Sequence, residues 1–86
     1  MIRTPYFSIR MKKNTVGTAR LGVVAGKAAA KTAVARNFLK RQARVSLATV
    51  LAPGTDILVV FTAASRTLTA HALRNALRET VARAQS

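Results

Sequence analysis

Negative charge is almost missing from this chain: only Asp56 and Glu79 oppose fifteen Lys and Arg residues, leaving a formal net charge of +13 over 86 residues. Two carboxylates are too few to build a two-metal nuclease centre from protein alone. Cysteine is absent, which excludes disulfides and thiolate metal sites and leaves the redox compartment open. The single histidine, His71, has no Asp or Glu near it in sequence and reads as a surface residue in the first turn of a helix. The longest apolar run, Ile57 to Phe61, is five residues, against the roughly 20 that span a bilayer. If the chain takes part in catalysis, the reactive groups come from something else.

What is present is positive charge, unevenly placed. Eleven of the fifteen basic residues lie between Arg3 and Arg44, and no acid precedes Asp56. That footprint favours nucleic acid over a neutral or basic protein partner and raises association rates at low salt. A length of 86 residues with half of them apolar makes one domain, at the size where roughly 60% of the unfolded surface is buried. The Arg-rich, acid-free start could be read as an organelle presequence. Against that, Phe7, Ile9 and Met11 alternate with Ser8, Arg10 and Lys12, the period of a strand with one packed face, and Pro5 would break a presequence helix.

The first strand is expected over Tyr6 to Lys12. A turn at Asn14 to Thr18 leads into a second strand, Ala19 to Ala25, so the two form a hairpin. Gly26 to Thr32 connects to a helix with Thr32 as its N-cap. The apolar residues Val45, Leu47, Val50 and Leu51 carry that helix to Thr49 or Leu51, where Pro53-Gly54 stops it. Asp56 to Thr62 reads as a middle strand covered on both faces, because Ile57 to Phe61 shows no alternation. After a loop at Ala63 to Leu68, Thr67 or Thr69 caps a last helix whose buried stripe is Leu73, Leu77 and Val81, with Arg74, Arg78 and Arg83 in water. The order strand, strand, helix, strand, helix predicts an α/β (α+β) two-layer sandwich, one domain over residues 1–86.

The informative segment is Val34 to Arg44. At about 100° per residue from Val34, Arg36, Asn37, Lys40, Arg41 and Arg44 fill an arc of roughly 200° to 340°, and Val34, Ala35, Phe38, Leu39 and Val45 one of roughly 0° to 140°. One face is expected to pack and the other to grip a polyanion. Four like charges spaced three or four apart repel by a few tenths of a kcal/mol per pair, a cost that an anion removes. A solvated face usually mixes both signs; this one does not. Gly22-Val-Val-Ala-Gly-Lys-Ala is not a phosphate loop: three residues rather than four separate its glycines, and Ala28 follows Lys27.

Arg20-Leu-Gly-Val-Val-Ala-Gly-Lys, then Ala33-Val-Ala-Arg-Asn-Phe-Leu-Lys-Arg-Gln-Ala-Arg, then Asp56-Ile-Leu-Val-Val, in that order and spacing, resemble the protein component of bacterial ribonuclease P. The resemblance runs from about Tyr6 to Ala84. It implies a fold shared with a ribosomal protein domain, with a left-handed crossover into the helix. It also implies a non-catalytic subunit of a ribonucleoprotein endoribonuclease. The partner ribonuclease P RNA, with Mg2+ bound by the RNA, removes the 5′ leader of precursor tRNA. Protein partners and a membrane are not implied; a monomeric protein in a cytoplasmic ribonucleoprotein is.

Carried over by position, the resemblance makes Arg36, Asn37, Lys40, Arg41 and Arg44 the helix that docks on the catalytic RNA, with Lys27 and Lys31 in the basic connection before it. The third position of the family's motif is usually arginine and here is Phe38, a departure expected to weaken one RNA contact while Phe38 sits at the packing edge. Leader-binding candidates are Phe7, Arg10 and Lys12 on the first strand; Phe7 reads equally as core. Relatives carry a helix before the first strand that walls the leader cleft. With the first strand starting near residue 6, the expectation is a half-open cleft or a reduced, RNA-binding form. A structural ribosomal RNA-binding protein of the same fold is the alternative.

Overall fold

The computed structural model describes residues 1–85. A short strand β1 (Ile2–Arg3) is followed by β2 (Phe7–Lys13), β3 (Arg20–Val24), helix α1 (Ala33–Leu47), β4 (Thr55–Phe61), a 3-10 turn (Ala63–Thr67) and helix α2 (Ala70–Gln85). The four strands form one sheet in the order β1-β2-β4-β3. Both helices pack on one side of it, so the predicted two-layer sandwich is the observed one. No helix among the described residues is long and apolar enough to cross a membrane.

The expected hairpin is not formed. β4 lies between β2 and β3, antiparallel to the first and parallel to the second. The bend at 15–18 therefore carries the chain across the start of β4. Asn14 holds this crossing: its backbone N–H donates to the Gly54 carbonyl at 2.8 Å, and its side-chain amide donates to Asp56 Oδ1 and the Thr18 carbonyl. Gly54, at φ +80°, turns the chain into β4 in a conformation that costs glycine little. Alternation within β2 and β3 marks strands but does not name their partners.

Phe7, Ile9, Ile57, Val59 and Phe61 point into the core from the middle strands, with the rings of Phe7 and Phe61 edge to face at 6.2 Å between centroids. β4 is central, as expected, but not covered on both faces. Leu58 is 37% exposed and Val60 half-buried, because the second face of the sheet carries no layer. At the N-terminus, β1 pairs with β2 through Ile2 opposite Ile9 and Arg3 opposite Ser8. Thr4 closes the tight turn between them, its Oγ1 accepting from the N–H groups of Tyr6 and Phe7.

Helix α1 begins where the sequence predicts, with Thr32 Oγ1 accepting from the Ala35 N–H. It ends at Leu47 rather than Thr49 or Leu51; only a further loose turn follows, with the N–H groups of Val50 and Leu51 on the Leu47 carbonyl. Its packing face also differs from expectation. Leu39, Gln42, Ala43, Ser46 and Leu47 are buried, an arc of roughly 80° to 220° on the same helical scale. Val34, Phe38 and Val45, expected inside, are 80%, 42% and 54% exposed. The helix is turned so that small Ala43 and Ser46 lie on its buried face, and the stems of Arg36 and Lys40, both half-buried, flank that face on the side away from Val34 and Val45.

Helix α2 follows Thr69, whose Oγ1 accepts from the Ala72 N–H. Leu73, Leu77 and Val81 form its buried stripe, joined by Thr80. The stretch expected as loop is ordered as the 3-10 turn, with buried Ser65 donating to the Thr62 carbonyl at 2.7 Å. Gln85 clamps the turn after α1, accepting from the Ala52 N–H and donating to the Val50 carbonyl.

Candidate nucleic-acid interface

Two basic surfaces result, one on α1 and one on the open side of the sheet. On α1, Asn37, Arg41 and Arg44 are exposed, and Arg36 and Lys40 flank them half-buried. Lys27 and Lys31 are exposed on the connection from β3. All seven residues named from the sequence thus belong to one helix and the loop feeding it. They are not equivalent. The Arg36 guanidinium reaches back, Nη1 donating to the carbonyls of Ala30 and Lys31, both at 3.3 Å. It therefore shapes the loop that carries Lys31.

The open face of the sheet is defined by register. Arg3, Ser8, Val60 and Val24 form one row, Arg10, Leu58 and Gly22 the next, and Lys12, Asp56 and Arg20 the third. Arg3, Arg10, Lys12 and Arg20 are exposed, standing around an apolar floor of Leu58. At Gly22 a Cβ would come within 3.2 Å of Leu58 Cδ1, so glycine leaves the hollow beside Leu58 open. Arg10 and Lys12, two of the leader-binding candidates, are exposed on this face. Phe7 does not: it is fully buried on the other side of β2, and the same alternation that exposes Arg10 forces it inward. As a leader-stacking residue Phe7 is corrected to a core residue. Arg3 was missed, because a two-residue strand carries no periodicity; Arg20 shares the face of Arg10 only through β4.

One carboxylate enters this surface. Asp56 takes two bonds from Arg20, Nε to Oδ1 and Nη2 to Oδ2, each 2.7 Å. Hydrogen bonding from Arg20, then from Asn14, holds its pKa down at about 2, with the charge of nearby Lys12 acting in the same direction. Arg20 is thus partly neutralised, and Arg3, Arg10 and Lys12 supply the remaining positive charge on that face. Among the described residues no three His, Cys, Asp or Glu side chains gather where they could hold a metal. His71 is exposed, its Nε2 3.1 Å from the Asn75 amide nitrogen.

Fold and surface define a small α/β sandwich with exposed basic residues on α1 and on the open face of its sheet. The chain belongs to the ribonuclease P protein family, whose model, described as Ribonuclease P, matches residues 1–85. No curated protein sequence matches it. Among solved structures it is similar to the ribonuclease P protein of Thermotoga maritima in complex with 1-(4-fluorophenyl)-2-thiourea. That match has 25% identity and a TM-score of 0.80, covering 93% of this chain and 80% of the other. It is also similar to the Staphylococcus aureus ribonuclease P protein, at 25% identity and a TM-score of 0.81, over 99% and 79%. These matches make the chain a protein subunit of the ribonucleoprotein endoribonuclease of tRNA processing, with ribonuclease P RNA as its partner. They select that role over the structural ribosomal alternative.

Proposed function

We propose that α1 and its loop dock on ribonuclease P RNA while the open face of the sheet receives the 5′ leader of precursor tRNA. The observation that carries this reading is the pair of basic surfaces on opposite sides of one small domain. Asn37, Arg41, Arg44, Lys27 and Lys31 would take phosphates of the catalytic RNA, with Arg36 and Lys40 at the edge. Arg10 and Lys12, above the Leu58 floor, would take the leader. Cleavage would be carried out by the RNA with its bound Mg2+; the protein's part is to neutralise phosphate and position the substrate. Lower phosphate repulsion lets the RNA fold and meet its substrate at lower Mg2+. A monomeric protein acting in the cytoplasm fits this role.

Reconstitution with a cognate ribonuclease P RNA and precursor tRNA at low Mg2+ tests the reading. Cleavage should need the RNA, be stimulated by the protein, and be absent from RNA-free protein. Cutting by protein stripped of RNA would sink the proposal.

A further inference from the structure

The chain has four aromatic side chains, Tyr6, Phe7, Phe38 and Phe61. Phe7 and Phe61 are buried, and Tyr6 is half-buried against the core. Phe38 alone stands out, 42% exposed, and it does so on the outer face of α1 beside Asn37 and Arg41. It is also the wall shared by two hollows. The larger, about 370 Å³, lies between the N-terminal half of α1 and the 3-10 turn, with Val34, Ala35, Leu39 and Leu68 as apolar lining and Arg66 at its side. The smaller, about 300 Å³, lies between Phe38, Val34, Asn37 and Arg41. The larger is the size of a small-ligand site and is built like one, an apolar lining with few polar groups.

Charge decides what can occupy it. α1 and the 3-10 turn contain no acid, Arg66 lines the larger hollow and Arg41 the smaller. A second copy would bring another +13 against it, and a plain apolar peptide would leave the arginines unanswered. An unpaired nucleobase satisfies both features, since its flat body is apolar on its faces and its flanking phosphates are anionic.

Building on the RNA-docking reading above, we propose that this groove holds one unpaired base of the partner RNA, stacked on Phe38, with Arg41 and Arg66 on the flanking phosphates. The position where the family's motif usually has arginine then contributes a neutral stacking contact in place of a charged one.

The test uses the complex reconstituted with ribonuclease P RNA. The chain has no tryptophan, so Phe38→Trp places a single reporter in the groove, and its emission should be quenched as RNA binds. Phe38→Ala should weaken RNA binding roughly five- to a hundredfold while leaving the slope of log K against log salt unchanged, because no ion pair is lost. Phe38→Trp should retain affinity. Thermal melting of both free variants establishes that they fold. Unchanged affinity for Phe38→Ala together with unquenched indole emission from the Phe38→Trp variant, while Arg44→Ala still weakens binding and lowers the slope, overturns the base site and leaves the RNA-docking reading standing. No effect from Phe38→Ala or Arg44→Ala overturns both. Self-association of the free protein that Phe38→Ala abolishes would give the groove to a second copy instead.

Discussion

Arg20 and Asp56 stand directly opposite each other on the parallel β3–β4 pair and meet through two parallel hydrogen bonds of 2.7 Å. With Asn14 on the same carboxylate, this contact ties the far edge strand to the crossing loop. Its pH dependence has a definite sign. The folded-state pKa of Asp56, about 2, lies below the ordinary Asp value of about 3.9, so the unfolded chain binds the proton more readily. The contribution is fully present above pH ~4 and is lost as pH falls through about 2. Thermal melting from pH 5 to 2 should show the midpoint dropping in that window, and Asp56→Asn should flatten the drop. A variant that tracks the parent protein across the window would show that the pair does not stabilise the fold; high salt should weaken the effect in any case.

The basic residues of α1 should separate into two kinds. Arg41→Ala and Arg44→Ala are expected to change stability by no more than about 0.5 kcal/mol and to reduce the salt slope of RNA binding by up to about one unit each. Arg36→Ala should in addition lose about 1 kcal/mol of stability with its two bonds to the loop carbonyls. Denaturant titration beside salt-dependent binding reads both quantities. Equal stability for all three variants would remove the loop-shaping role of Arg36.

Gln42 offers a change of the opposite sign. It is 8% exposed and, among the described residues, its Oε1 has no hydrogen-bond donor. An orphaned buried acceptor costs about 1 to 3 kcal/mol, so Gln42→Met, similar in volume, should stabilise the protein by about 1 kcal/mol. A lower unfolding midpoint for the variant would mean that the amide is satisfied in solution.

Leader discrimination should be modest and salt-sensitive, because the open face of the sheet presents arginine and lysine but no aromatic ring. The protein should tighten binding of leader-bearing over mature tRNA by roughly tenfold at most, about 1.4 kcal/mol, with Arg10→Ala and Lys12→Ala each erasing part. Dissociation constants with and without the leader, taken with and without the protein, measure it. A preference of a hundredfold or more would require another wall to the cleft. Phe7→Ala should behave differently, costing about 3 to 5 kcal/mol of stability out of a total of order 4 to 13 for a chain this size.

Local signals were readable in the sequence where a single element settles them. The Thr32 cap, the Leu73-Leu77-Val81 stripe and the inward set Phe7, Ile9 and Met11 follow from hydrogen-bonding chemistry and period alone. Strand partners did not follow, since pairing Val23 with Val59 rather than with Ile9 depends on contacts between segments far apart in the chain. The rotation of α1 was hidden for a related reason. Hydrophobicity placed Val34, Phe38 and Val45 inside, whereas the buried arc is completed by Gln42, Ala43, Ser46 and Leu47. Among the basic residues of α1 the rotation leaves Arg41 and Arg44 exposed and draws Arg36 and Lys40 half-buried. Phe7 could not be resolved from sequence, as a core ring and a stacking ring look alike until burial is known.

The insertion of β4 between β2 and β3 has a bearing on how the chain is made. β2 and β3 emerge from the ribosome early but have no ladder to each other, and the strand that joins them is completed only at Phe61. Until then the largest part of the sheet cannot close, and eleven of the fifteen basic residues sit on a chain with no acid among them. Folding therefore waits on a non-local closure, the slow kind, while the nascent segment carries eleven basic residues and, from Asp56 on, a single acid. Polyanions met during synthesis encounter this protein first as an open basic strand and only later as a shaped surface.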